Sequence, residues 1–448
     1  MSSLRPMPAL ARSLDRIRET TVPARRYGRV TSVVGLLVEA SELDAAVGEM
    51  CRIHVAEGGE TRTVRAEVVG VKESTTVLMP MEQTHGLQAG CLIRPADEGM
   101  SVPVGPDLLG RVIDAGGRPI DGKGPLGTDA REPIHRDPPS PLDRPLIDTP
   151  LSTGIRSIDA FLKMGKGQRT GIFAGSGVGK STLLGMIARR AEADVNVIAL
   201  IGERGREVRE FIVDNLGEEG LRRSVLVAVT GDEAAMSRVK AASAAMAIAE
   251  HFRDRGQDVL LMMDSITRVA QAQREIGLAV GEPPTRRGYP PSVFALLPRL
   301  LERAGPAEAG TITGIFTVLV EGDDMSEPIS DAARGILDGH IVLSRELAEA
   351  GHYPAVDVLQ SVSRVMPRVA SLEAEAAAQE ARELLSAYEE VEDLISVGAY
   401  EEGSDPETDR AVEAYPALAD FLQQPVDAPP PDPAPSTQLR QLLDDIPE

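Results

Sequence analysis

The run Ala174-Gly175-Ser176-Gly177-Val178-Gly179-Lys180-Ser181-Thr182 combines three glycines, a lysine and neighbouring hydroxyls, the residue types that grip a chain of phosphates. Gly175, Gly177 and Gly179 permit a tight turn whose backbone N–H groups converge on one concavity, and a helix starting just after them adds its positive end. Lys180 supplies a mobile cation for the β- and γ-phosphates, and the Ser181 hydroxyl suits Mg²⁺. Ala174 stands where the strictest form of the pattern has Gly, and a small residue closing a strand serves the same turn. The other reading is a glycine-rich connector that happens to hold a lysine; against it stands the order strand, loop, helix around the run.

Hydrolysis needs more than a cradle. Residues 259–263 form a buried apolar run with Asp264 at its carboxyl edge, the edge where open α/β sheets keep their ligands, so Asp264 can hold a water of the Mg²⁺ shell. A second apolar run, 195–201, leads into Gly202-Glu203-Arg204-Gly205-Arg206-Glu207. Glu203 is then placed to orient or deprotonate the water that attacks the γ-phosphate, and Glu207, four residues on, suits the outer metal shell. By spacing alone, a solvated cluster of charges explains this segment equally well.

The elements that must hold these groups follow from periodicity. Between residues 154 and 343, apolar runs at 169–174, 195–201, 224–229, 259–263 and 311–320 alternate with helical stretches at 181–193, 207–216 and 234–253. That alternation predicts an α/β fold with a parallel sheet between helices. Before it, β-rich runs at 28–38, 49–56, 61–71 and 75–80, punctuated by 44–48 and by Gly58-Gly59, predict a small barrel or sandwich. The Gly-, Pro- and Asp-rich runs 110–127 and 134–150 read as connecting loops. Leu10, Leu14 and Ile17 recur at helical spacing ahead of Pro23, giving a short amphipathic helix that packs on its own domain or docks a partner. After Pro367, helical periods over 370–394 and 408–424 predict a helical domain. The Pro-rich tail is expected to be disordered, with Leu439, Leu442 and Leu443 as a cluster able to dock. The expected division is 1–22 (amphipathic helix), 23–96 (β-barrel), 97–366 (nucleotide domain), 367–424 (helical domain) and 425–448 (tail).

Composition narrows the function. The 448 residues carry 47 Lys and Arg against 69 Asp and Glu, a formal charge of −22, which argues against nucleic acid or anionic lipid as a nonspecific partner. Aromatics are 3% with no Trp, so the core must be aliphatic and a base-stacking platform is poorly supplied. Cys51 and Cys91 have no Cys or His companions at zinc spacing and read as reduced thiols of an intracellular protein. The first 20 residues lack the apolar run of a secretory signal, and no stretch approaches the roughly 20 apolar residues of a membrane span.

Several long segments carry a resemblance: AGSGVGKST, IGERGREVREF, LLMMDSITRVAQAQREIGLAVGEPPTRRGYPPSVFALLPRLLERAG, VLVEGDDMSEPISDAARGILDGHIVLSR and HYPAVDVLQSVSRVM. Over residues 27–370 the chain resembles the type III export ATPases, relatives of the catalytic subunit of rotary ATP synthases, and is most similar to the flagellar branch. The resemblance implies a RecA-like P-loop core with an N-terminal β-barrel and a helical C-terminal domain. It implies Mg²⁺-dependent ATP hydrolysis by a homohexameric ring that releases and unfolds export substrates. Glu203 matches the catalytic glutamate, Arg204 the adjoining residue of that motif, and Arg268 a phosphate-side arginine. Tyr353 resembles the residue that packs on adenine, and Arg364 the arginine finger that reaches a neighbouring subunit's γ-phosphate. The implied partners are a stator-like regulator on the N-terminal helix, a central stalk protein, chaperone–substrate complexes and the membrane export gate. The implied location is the cytoplasm, peripheral to the inner-membrane export apparatus. The virulence-type secretion ATPase shares these motifs and is the alternative. A synthase subunit fits the GERGREV, DSITR and SVSRVM wording less well. A ring helicase or transcription terminator would want a basic, aromatic barrel, whereas residues 27–94 offer Tyr27 as their one aromatic.

Overall fold

The first unit is built of the strands β1 (Gly28–Val34), β2 (Leu37–Ser41), β3 (Met50–Glu57), β4 (Glu60–Lys72), β5 (Thr75–Pro80) and β6 (Leu92–Pro95); buried and exposed side chains alternate along most of them, the signature of a sheet with one face on a core, whereas β5 is buried from Thr76 to Pro80. In this computed structural model, which describes residues 27–57, 60–96, 99–403 and 405–446, they close into a barrel in the order β1-β2-β5-β4-β3-β6. Closure follows because β6 pairs with both β3 and β1, which settles barrel against sandwich. The expected strand 28–38 is a hairpin instead: Gly35, at φ 58, turns the chain between Val34 and its partner Leu37. Val30, Ala40, Ile53, Val64 and Leu78 fill the interior. The amphipathic helix expected over residues 1–22 lies outside the described residues.

A second compact unit begins at Met100. Its sheet has nine strands, eight of them along one path: β7 (Arg111–Ile113), β8 (Arg169–Ala174), β9 (Val195–Glu203), β10 (Ser224–Thr230), β11 (Asp258–Asp264), β12 (Thr311–Leu319), β13 (Gly339–Leu343) and β14 (Val356–Ser363), in the order β14-β13-β8-β12-β11-β9-β10-β7. All neighbours on that path are parallel except β13 and β14. Helices cover both faces, which is why a strand such as β9 is buried over its first seven residues, all apolar but Asn196, rather than alternating. The short edge strand β7 sits in what reads from sequence as a loop; its three residues Arg-Val-Ile pair with β10.

The helices that bear on the site are α1 (Arg156–Phe161), α2 (Lys180–Arg190), α3 (Gly205–Glu210), α4 (Ala235–Arg253), α5 (Ile266–Ala279), α6 (Leu372–Ser396), α7 (Pro406–Leu422) and α8 (Pro435–Asp444). The helix expected over 207–216 is α3 followed by a π-helical turn, Phe211–Leu216; the wider i to i+5 spacing keeps both Phe211 and Leu216 buried. The C-terminal helices are not separate from the sheet. Ala377, Leu384, Leu418 and Phe421 share one hydrophobic cluster with Leu183 and Ile187 of α2, so residues 367–424 fold into the unit that starts at Met100. The tail corrects the expectation of disorder over 425–448. Pro435 occupies the first turn of α8, where a missing N–H costs no helical bond, and Leu439 and Leu443, one turn apart, are buried against α6 and α1.

Candidate active site

At the carboxyl edge of the sheet, β8 ends at Ala174 and α2 begins at Lys180, with Gly175 to Gly179 as the loop between. Gly177 and Gly179 take φ of 81° and 87°, conformations that side-chain-bearing residues rarely adopt. A Cβ on Gly177 would meet open space, so this part of the loop faces the cleft; one on Gly179 would lie 3.4 Å from the Tyr353 ring. Gly179 caps α2 without any side-chain acceptor, which leaves the first N–H groups of the helix for a ligand. Ser181, on the first turn, is exposed, and Thr182 follows it into the cleft lining.

Two strand ends converge on Lys180. Its ammonium donates to Asp264 Oδ1 at the end of β11 and lies 3.5 Å from Glu203 Oε1 at the end of β9. Burial works against the ammonium, but the charges of Asp264 and Glu203 outweigh it and its pKa is raised, so Lys180 stays cationic. Asp264 is 3% exposed, and its Oδ1 also accepts from Thr317 Oγ1 at 2.6 Å. Burial, Asp264's charge and a hydrogen bond to Glu207 push Glu203 up to about 7 against the pull of Lys180, while that same hydrogen bond holds Glu207 below the usual carboxylate range. A Glu203 carboxyl that titrates near neutrality can accept a proton from water at slightly alkaline pH. We therefore expect kcat/KM for ATP, corrected for protonation of free ATP, to be level above pH 7 and to fall about tenfold per unit well below it, as the base becomes protonated. A flat profile between pH 6 and 8 would remove Glu203 as the titrating base.

The remaining expected residues divide. Arg268, four residues after Asp264, packs its methylenes over Gly202, where a Cβ would come within 2.9 Å; its Nη1 donates to Gln271, and its buried Nε has no partner among the described residues. An orphaned guanidinium N–H in a cleft suits an anion. Arg204 does not turn inward: its side chain is 82% exposed at the rim and pairs with Glu207 at 3.3 Å. The loop and cluster line a cleft of about 880 Å³ that also takes in Arg274, Arg287, Tyr289 and Arg345, none singled out from sequence. Of these, Arg345 follows the end of β13, so its place at the ligand edge could have been inferred from a strand assignment there; Arg274 and Arg287 carried no comparable signal. Tyr353 is 45% exposed, its ring against the loop at Gly179.

Arg364 lies elsewhere. It follows β14, which runs antiparallel to β13, and Ser363 is aligned with Gly339 and so with Thr170, four residues before the end of β8. At about 3.3 Å per residue that is roughly 13 Å from the phosphate loop, at the opposite edge of the sheet. There Arg364 donates to the carbonyls of Leu337 at 3.4 Å and Arg334 at 3.3 Å, and lines a separate cavity of about 330 Å³ with Arg169 and Asp338.

Comparison with known proteins matches the same three parts. The ATP synthase alpha/beta family models fit residues 30–96 (beta-barrel domain) and 154–363 (nucleotide-binding domain), and the T3SS EscN ATPase C-terminal domain fits residues 370–441. The chain is 55% identical to the flagellum-specific ATP synthase of Bacillus subtilis over 92% of its length and 94% of that protein's. It is 52% identical to the type 3 secretion system ATPase of Xanthomonas euvesicatoria over 94% of its length and 95% of that protein's. Among solved structures it superposes on the assembled ATPase EscN of the enteropathogenic E. coli type III secretion system with a TM-score of 0.87 and 45% identity, covering 93% of this chain and all of that one. EscN in complex with its central stalk EscO gives 0.84 and 44%, covering 94% of this chain and 99% of that one.

Proposed function

Because the chain belongs to the ATP synthase alpha/beta family and ends in the C-terminal domain of its type III secretion ATPases, we propose that it is the ATP-hydrolysing motor of flagellar protein export. The observation that carries the reading is the convergence of Lys180, Glu203 and Asp264 at the carboxyl edge of the sheet, beside a helix start with uncapped N–H groups. The loop amides and Lys180 bind the β- and γ-phosphates, Arg268 faces the phosphate side, and the ionised Glu203 takes a proton from the attacking water. Glu207 accepts the hydrogen bond of the protonated form and so favours Glu203 as an acid until the water is in place.

The donor set fits Mg²⁺. Among the described residues no cluster of three or more His, Cys, Asp or Glu could hold a metal. A small hard cation that keeps waters and takes phosphate oxygens needs only the exposed Ser181 hydroxyl and the Asp264 carboxylate, whose two hydrogen bonds both fall on Oδ1 and leave Oδ2 for a metal-bound water. Such an ion neutralises charge on the β- and γ-oxygens.

Arg364 serves the adjacent protomer. The opposite-edge placement removes it from its own chain's phosphates, and a head-to-tail contact that closes into a ring brings it to the next site. The reading of a homohexamer with a central stalk is supported by the likeness to EscN, solved assembled and in complex with EscO. The stator-like regulator, chaperone–substrate complexes and membrane export gate complete the proposed partners. Among the described residues no helix is long and apolar enough to cross a membrane, and the proposed place is the cytoplasmic side of the export apparatus. The test is complementation: a strain lacking the protein should be non-motile and regain swimming with the wild-type chain but not with Lys180→Ala. Swimming without the protein, with loss of effector secretion instead, would move the assignment to the virulence-type system.

A further inference from the structure

We propose that Gln424 is the positioning residue for the base end of the nucleotide site, holding the loop that carries Tyr353 at a fixed distance from the phosphate loop; this rests on the assignment of Tyr353 to the adenine ring. Gln424 leaves α7 just before the Pro-rich tail and is 3% exposed. Three hydrogen bonds join it to two segments of the chain. Its backbone N–H donates to Tyr353 O at 2.9 Å, its side-chain Nε2 donates to Gly154 O at 3.0 Å, and its Oε1 accepts the Arg156 N–H at 2.8 Å. A buried amide with both ends paired fixes a geometry in a way that an apolar residue filling the same space does not.

The segment that it grips is itself pinned. At Gly154, with φ of 73°, a Cβ would lie 2.5 Å from Cβ of Arg190, at the end of the helix that the phosphate loop opens. Arg156 extends the junction by donating to the Gln423 carbonyl and sitting 5.7 Å over the Phe421 ring. Gln424 therefore ties the Tyr353 loop, the 154–156 segment and α2 together. Tyr353 needs such a hold: at 45% exposed its ring has too little packing to fix it, yet it must stand at one separation from the phosphate loop for a single nucleotide to reach both.

Gln424→Met keeps the volume and removes the side-chain bonds. Three quantities separate positioning from general damage: KM for ATP, kcat, and the inhibition constant of Mg²⁺-tripolyphosphate, which fills the phosphate cradle but has no base. We expect KM to rise about three- to tenfold, kcat to stay within about twofold, and tripolyphosphate inhibition to be unchanged. Gln424→Glu, which keeps the acceptor for Arg156 but turns a carboxylate oxygen on Gly154 O, should show the same split and serves if the methionine variant does not fold. Tyr353→Ala should raise KM about tenfold or more, since stacking on an aromatic ring is worth that much per base. In that background the Gln424 substitutions should add nothing. An unchanged KM in both Gln424 variants beside a raised one in Tyr353→Ala overturns the proposal alone, as does a parallel loss of tripolyphosphate inhibition. A wild-type KM in Tyr353→Ala overturns the adenine assignment and the proposal with it.

Discussion

Glu203→Gln should lower kcat for ATP hydrolysis by about a hundred- to ten-thousandfold, the range over which a positioned general base contributes, with nucleotide affinity retained or improved. Glutamine preserves the shape at the end of β9, so the packing of Arg268 over Gly202 and the phosphate loop are undisturbed. What it lacks is a group that takes a proton from water. Affinity holds because the change removes a negative charge from beside the triphosphate, and Lys180 keeps its contact with Asp264. Single-turnover hydrolysis together with equilibrium binding of ATP separates the two effects. Hydrolysis at the wild-type rate in Glu203→Gln would show that this carboxylate activates no water and would leave the cluster with a binding role only.

The phosphate loop was legible because its chemistry is local: consecutive residues, one strand before and one helix after. Asp264 was legible as a carboxylate at the end of an apolar run. Its partner Thr317 was not, since 53 residues separate them and only the register Met263↔Phe316 between β11 and β12 sets the two side by side. Barrel closure was open for the same reason, as it depends on pairing Gly28 and Arg29 with Ile93 and Leu92. Two local rules misled. Proline in the tail counts against order by composition, though at the first turn of α8 it starts a helix, and the π-helical turn after α3 shifts the periodicity that a 3.6-residue pattern expects. Arg204 shows a further limit: its place in a motif did not reveal that its side chain points to solvent.

The place of Arg364 likewise emerges only from topology, and it yields the second large effect. Arg364→Ala should lower kcat by about a thousandfold or more, the scale of an arginine finger, although the residue touches nothing in its own cleft. Loss of activity alone does not distinguish a shared site from a folding defect, but mixing does. When Glu203→Gln and Arg364→Ala chains are co-assembled in equal amounts, each site takes its cleft from one protomer and its guanidinium from the next. Half the clefts and half the guanidinium groups are intact, so about a quarter of the sites in randomly mixed rings hold both. Activity should then rise to about a quarter of the wild-type value from two preparations that are each nearly inactive. If Arg364 acted within its own chain, no protomer in the mixture would hold both groups, and the mixture would stay as inactive as its parents. Because the antiparallel turn from β13 into β14 is what carries Arg364 to the far edge, a ring in which mixing restores nothing would contradict that placement as well as the shared site.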